Sequence, residues 1–221
     1  MKLRLVLLGP PGAGKGTQCK RIVDKYGITH LSSGDILRAE RAADTELGRK
    51  AQSYMDSGGL VPDDIIIEMM VGAIKKVSGG YVLDGFPRTV VQGRQLDKAL
   101  EVAGEKIEGI VNLQTDDTIV AARMTGRRSC PDCGAVYHIE NLKPSVDGVC
   151  DKDGQALIQR PDDTPQVVVN RLETYHEQTA AVVDYYQAAT KKIINIDAGR
   201  QIDDVTASIF SELDKLDGQA G

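Results

Sequence analysis

The chain has 221 residues, enough for one domain with insertions and a sizeable core. It is 41% hydrophobic and 27% charged, with two Phe, seven Tyr and no Trp, so its core must rest on Leu, Ile, Val and Ala. A net charge of −5 excludes the overall basic field of a nucleic-acid binder, and no run approaches the roughly 20 apolar residues of a membrane span.

The charged start, Met1 to Arg4, precedes a short apolar run that is too brief for a secretory signal and ends in a glycine-rich turn. Residues 3–8 therefore read as a buried parallel strand, and the expected compartment is the cytoplasm. The glycine-rich stretch 9–16 should turn into a helix that ends near residue 25. Leu31-Ser32-Ser33-Gly34-Asp35 reads as a turn with helix-capping residues, followed by helices near 35–43 and 46–56. Gly58-Gly59 breaks the second, and Pro62-Asp63-Asp64 starts another, with Pro in its first turn, reaching about residue 77. A short strand is expected at 81–84, a helix at 89–103, a strand at 107–113 and a helix at 116–126. Residues 127–163 are polar and rich in Asp, Gly, Pro and Cys, with a little β character at 135–139. One long helix should occupy 164–189, then a strand 192–197, an amphipathic helix 202–216 and a frayed tail 217–221. Strands alternating with helices imply a parallel sheet covered on both faces, interrupted by the stretches 32–61 and 127–163.

Gly9-Pro10-Pro11-Gly12-Ala13-Gly14-Lys15-Gly16-Thr17 lies between a strand and a helix and fits the phosphate-loop pattern G-x-x-x-x-G-K. Glycines let backbone N–H groups converge on phosphate oxygens, and the helix N-terminus adds roughly half a positive charge. Lys15 would reach the outer phosphates. The pattern identifies a nucleotide ligand strongly and a kinase only weakly. Gly16 shifts the hydroxyl by one position, so Thr17 is not assigned a magnesium-ligand role.

A hydrolase needs one nucleotide site, yet this chain carries parts for two. Ser33 and Arg38 stand near helix starts, and Asp84-Gly85-Phe86-Pro87-Arg88 ends a strand, where open α/β sheets bind ligands. Arg123, Arg127, Arg128, Arg160 and Arg171 follow. Arginine offers a planar, permanently charged fork that matches phosphate oxygens.

Three of the four cysteines cluster. Cys130-Pro131-Asp132-Cys133 is a C-x2-C knuckle, and Cys150-Asp151-Lys152-Asp153 repeats its spacing with Asp153 where a fourth Cys would stand. In a reducing compartment such clustering suggests a metal, and zinc accepts carboxylate beside thiolate. Asp151 or His138 is an alternative fourth ligand, and iron or cobalt would suit the same donors. Cys19 is expected to be packed rather than reactive, and His30 and His176 to serve capping or surface roles.

Segments 9–18, 32–38, 59–63, 83–89 with Gln92, 126–128, 136–138 and 160–163 resemble, in order, those of bacterial adenylate kinases, across essentially the whole chain. The resemblance implies a P-loop kinase fold. A parallel five-stranded sheet would be flanked by helices and would carry a helical AMP-binding insertion and a small β-rich lid. The core would comprise 1–31, 62–126 and 164–221, the AMP-binding domain 32–61 and the lid 127–163. It implies reversible, Mg2+-dependent transfer from ATP to AMP, giving two ADP, by a cytoplasmic monomer with no nucleic-acid or membrane partner. Gly12, Ala13, Gly14, Lys15, Gly16 and Thr17 would cradle ATP phosphates, with Arg127, Val136 and Tyr137 contacting ATP from the lid and the backbone near Arg200 meeting its adenine. Ser33 (where many relatives carry Thr), Arg38, Gly59, Leu60, Val61, Gly85, Phe86, Pro87, Arg88 and Gln92 would form the AMP site, Gln92 reading the base. Arg160 and Arg171 would clamp the phosphates between the nucleotides, with Arg123 nearby, and Asp84 would hold magnesium through water. Some relatives with the long lid carry a structural zinc, here on Cys130, Cys133, Cys150 and Asp153. Another nucleoside monophosphate kinase, or a nucleotide-operated binding module without turnover, is the alternative.

Overall fold

All five residues of β1 (Arg4–Leu8) are buried, as befits a strand covered on both faces. The computed structural model describes residues 3–189 and 191–217; Met1 and Lys2 of the charged start and the expected frayed tail from 218 onward lie outside the described residues. After β1 the chain enters α1 (Lys15–Tyr26), β2 (Thr29–Ser32), α2 (Ser33–Ala42), α3 (Glu46–Ser57) and α4 (Asp63–Ile74). Next come β3 (Tyr81–Asp84), α5 (Val90–Val102), β4 (Gly109–Gln114) and α6 (Asp117–Thr125). The stretch 127–163 holds a two-stranded antiparallel ribbon, β5 (Arg127–Ser129) and β6 (Val136–His138). The chain closes with α7 (Pro165–Thr174), α8 (Ala180–Ala188), β7 (Ile193–Asp197) and α9 (Ile202–Asp217).

The main sheet is parallel throughout, in the order β2-β3-β1-β4-β7. Side chains of a strand alternate between its faces. Leu5 and Leu7 thus meet Cys19 and Ile22 of α1 and Val205, Ile209 and Leu213 of α9, while Val6 and Leu8 join Met70 of α4, Leu96 of α5 and Val182 and Tyr186 of α8. This is the double-covered sheet expected from the alternation of elements. None of the helices in the described residues is long and apolar enough to cross a membrane.

Two elements differ from expectation. The fifth strand, β2, takes in Leu31 and Ser32, which read as part of a turn, and Thr29 and His30, to which the sequence assigns no element. It is only four residues long and opens on the exposed Thr29 and half-buried His30, so no apolar run marks it. The capping reading holds at its end, where Ser32 Oγ accepts the Asp35 N–H at 3.2 Å and starts α2. The long helix after 164 is interrupted by a π-helical turn, Tyr175–Thr179. Thr174 Oγ1 donates back to the Asn170 carbonyl at 2.8 Å, a bond that competes with the helical ladder. Tyr175 and Thr179 of this turn face the cleft described below, a common setting for such bulges.

The pairing of α2 with α3 turns on Gly48. A Cβ there would lie 2.3 Å from the Glu40 carbonyl oxygen, a backbone atom that cannot swing away. Gly48→Ala is expected to cost about 2–3 kcal/mol, the price of overpacking, and to lower Tm by roughly 5–10 °C. Calorimetry checks this; an unchanged Tm would mean that the two helices separate freely.

Candidate functional site

The sheet order reverses about β1, because the chain moves to β2 and β3 on one side and to β4 and β7 on the other. Ligands bind at such switch points, outside the carboxyl ends of the strands. Leu7 of β1 is registered with Asp84 of β3, so the glycine-rich loop and the Asp84–Arg88 segment leave the sheet side by side.

The loop hugs the neighbouring strand. At Gly9, φ is +137° and a Cβ would meet the Leu113 carbonyl oxygen at 2.5 Å, so glycine is required there. Helix α1 begins at Lys15 with no side-chain cap, leaving its first N–H groups to face the cleft. Lys15 Nζ donates to the carbonyls of Gly9 and Pro10, each at 2.8 Å. Burial lowers its pKa to about 8; Asp84 pulls it up, while Arg88 and Arg171 push it further down.

Loop, α2, β3, α5, α7 and the 127–163 segment enclose one cavity of about 980 Å³. Every residue expected to contact a nucleotide lines it except Phe86. The Phe86 side chain is fully buried in the core beneath α4 and α5, so its role toward a ligand is to anchor the segment. Ser33 Oγ donates to the Gly85 carbonyl at 2.7 Å, and Arg88 Nε donates to the same oxygen at 2.8 Å. Gln92 is buried at the cleft wall, its Oε1 accepting the Arg88 N–H at 2.7 Å and its Nε2 donating to Asp63 at 2.8 Å. An amide has two N–H bonds and two acceptor positions, so one of each remains for a base edge. Arg200 and Gly59 to Val61 also line the cavity.

The chain is acidic overall, yet its cations gather in this cleft. Burial lowers Arg160 to about 10, and the nearby Arg38 and Arg127 lower it further. Arg171 also falls to about 10, mainly through burial, with Arg127 and Arg88 adding to the effect. Cations that depress one another in a buried site are relieved by an anionic ligand. Sequence reasoning assigned no role to their acidic partners. Arg127 forms a bidentate pair with Asp163, its Nε 2.7 Å from Oδ2, and Asp163 is fully buried. Arg171 Nη1 sits 2.5 Å from Asp162 Oδ2, and Arg38 Nη2 2.5 Å from Asp35 Oδ1. The two acids of Arg160-Pro161-Asp162-Asp163 were the available signal. Arg123 binds the backbone carbonyl of Ala198 at 2.7 Å and those of Gly199 and Arg200 at 3.4 Å, so it tethers the loop before α9. Asp84 stands at the end of β3 with His30 Nε2 3.2 Å from its Oδ2, which corrects the expectation that His30 caps or decorates the surface.

In the 127–163 segment, Cys130, Cys133, Cys150 and Asp153 place their donor atoms within 4.8 Å of one another. Cys130 Sγ lies 3.2 and 3.4 Å from the Asp153 oxygens, and Cys133 Sγ 3.6 Å from Cys150 Sγ. Bonds of about 2.0–2.3 Å to a tetrahedral zinc put donors roughly 3.3–3.8 Å apart, so the donor set fits such an ion. The hydrogen bond to Asp153 raises the Cys133 thiol above its ordinary value. The alternative ligands are engaged elsewhere. Asp151 accepts the Ser145 N–H at 2.8 Å, and His138 Nδ1 accepts the N–H groups of Glu140 and Asn141. The segment's own core is small: Cys130, Ala135, Tyr137 and Cys150, with Leu157 packed against them.

Comparison with known proteins agrees with this geometry. Residues 7–191 match the family model described as adenylate kinase. The chain is 47% identical to the adenylate kinase of Lachnospira eligens over 214 residues, covering 96% of this chain and 100% of that protein. It is 48% identical to that of Allorhizobium ampelinum (97% and 100% covered) and 46% identical to that of Caldanaerobacter subterraneus subsp. tengcongensis (96% and 96%).

Proposed function

Because this chain belongs to the adenylate kinase family, and so transfers a phosphoryl group reversibly between ATP and AMP, we propose a division of labour among its own residues. The observation that carries it is the pairing of two phosphate-binding assemblies at the ends of adjacent strands, joined by one cavity. The loop 12–17 and Lys15 hold the ATP phosphates. Arg38 and Arg88 hold the AMP phosphate, and Gln92 reads the adenine of AMP. Arg127, Arg160 and Arg171 lie over the gap and meet the charge that spreads over the transferred group; Arg123 tethers the loop before α9, which faces the ATP adenine with Arg200. Val136 and Tyr137 cover ATP from the 127–163 segment, which acts as a lid, while 32–61 closes over AMP. Closure excludes water, the competing acceptor.

Asp84 would hold the water shell of a magnesium ion bound with ATP, and that ion would supply positive charge to the phosphates. Cys130, Cys133, Cys150 and Asp153 would hold a structural zinc that takes no part in the chemistry.

A coupled assay across nucleoside mono- and triphosphates tests the substrate assignment. The expected result is preference for AMP over UMP, CMP and GMP with two ADP formed per AMP; turnover of UMP without turnover of AMP would overturn it.

Lys15 supplies a further prediction. With a pKa of about 8 in the free cleft, the amine is largely neutral at pH 9 and charged at pH 7. Phosphates favour the ammonium form, so ATP binding should take up close to one proton at pH 9 and about a tenth at pH 7. Calorimetry in buffers of different ionisation heat reads this number, and Lys15→Met should abolish it. Equal uptake by the variant would assign the proton to another group.

A further inference from the structure

On the α1 side of the cleft floor lie three donors that phosphoryl transfer does not use as a set. Cys19 comes from α1, His30 from β2 and Asp84 from β3, and their ligand atoms all lie within 4.8 Å of one another. Sheet register explains the meeting. His30 pairs with Val82 and Ser32 with Asp84, so His30 and Asp84 point to the face that carries Val82, where α1 packs with Cys19. Cys19 is fully buried, whereas the side chains of His30 and Asp84 keep 18% and 12% exposure and both line the cavity.

We propose that Cys19, His30 and Asp84 form a second, thiophilic metal site, selective for an ion such as Zn2+ and open to the cleft at its fourth position. Sulfur, imidazole nitrogen and carboxylate oxygen are zinc's ligand types, and three protein ligands with one open position are a known zinc arrangement. Mg2+ takes oxygen ligands and would use Asp84 alone. His30 Nε2 and Asp84 Oδ2 are already 3.2 Å apart, close to the donor separation that a tetrahedral ion imposes. The remaining adjustment is under about 1.5 Å, the difference between the 4.8 Å bound and the zinc edge. Asp84 attracts the ion and Lys15 repels it, and both face the same space. On binding, the thiol proton is released to solvent and the Cys19 sulfur takes its place on the metal, with no change in oxidation state.

The site binds without nucleotide. Its consequence, zinc inhibition through capture of Asp84, rests on the phosphoryl-transfer reading above. The full-length chain is dialysed to equilibrium against micromolar Zn2+ and its zinc content measured beside that of Cys19→Ala and His30→Gln, with circular dichroism to verify the fold. The wild type should hold one zinc per chain more than either variant, irrespective of the knuckle, which all three share. Cobalt substitution should add a thiolate-to-cobalt band that Cys19→Ala lacks. In turnover at millimolar Mg2+, Cys19→Ala should keep its basal rate within about twofold and raise the inhibitory zinc concentration at least tenfold. Equal zinc content in the wild type and a folded Cys19→Ala overturns the site. Unequal content with identical inhibition overturns only the inhibitory consequence, and the absence of phosphoryl transfer in all three overturns the reading of the cleft while leaving the binding result intact.

Discussion

Arg88→Ala is expected to lower kcat by about three to five orders of magnitude and to leave ATP affinity within a few-fold. The guanidinium sits where β3 ends, on the Gly85 carbonyl, beside the loop that follows β1. Burial lowers its pKa, with Asp84 and Asp162 opposing and Arg38 adding to the fall, so it is a desolvated cation among other cations. Such a group is poorly satisfied until an anion arrives, and its field is strongest where water is excluded. Its removal should be felt by the AMP phosphate and the transferred group. The ATP phosphates keep the loop, Lys15 and Arg127. Arg88→Lys keeps the charge but loses the fork and should recover only part of the rate. Initial rates at saturating ATP, with calorimetric ATP affinity, separate the two effects. A variant within tenfold of wild-type kcat would remove Arg88 from the chemistry.

The parts of this cleft legible in the sequence were those encoded by short contiguous patterns. The loop 9–17, the segment 84–88 and the Cys-x-x-Cys knuckle each carry their chemistry within a few residues, and nearly all of the expected ligand-facing side chains do line one cavity. What the sequence concealed is non-local. The acid partners Asp162 and Asp163 follow Arg160 after a single Pro in sequence but serve Arg171 and Arg127 in space. His30 looked solitary because its partner is 54 positions away and meets it only through parallel pairing of β2 with β3. Strand β2 itself lacks an apolar run, being a short edge strand whose first half is exposed or half-buried. The break at Tyr175–Thr179 left no Pro or Gly to announce it, since a π-helical turn needs only one extra residue in the ladder. Phe86 shows the converse case. It belongs to a ligand-binding motif by position, yet its side chain serves the core.

The 127–163 segment offers the other large effect. The wild type is expected to purify with an ion in the Cys130 knuckle and Cys130→Ser without it, and residues 127–163 of the variant should lose amide protection while the main sheet keeps it. The reason is the poverty of that segment's own core, which consists of Cys130, Ala135, Tyr137 and Cys150 with Leu157 beside them, against the two extensive clusters on the faces of the sheet. With so little apolar surface, a segment of this kind gains most of its folding free energy from an ion when one is bound. Arg127, Val136 and Tyr137 ride on β5 and β6, and Arg160 donates from its Nε to Ser129 at 2.9 Å. Losing the ribbon displaces all four, and a misplacement near 1 Å costs on the order of 10²-fold in rate. Chelation of the wild type should reproduce both changes, and zinc should reverse them. Asp153→Ala should behave like Cys130→Ser, whereas Asp151→Ala should retain the ion, because the Asp151 carboxylate is committed to the Ser145 N–H. Full metal occupancy in Cys130→Ser, or loss in Asp151→Ala but not in Asp153→Ala, would require a different ligand set.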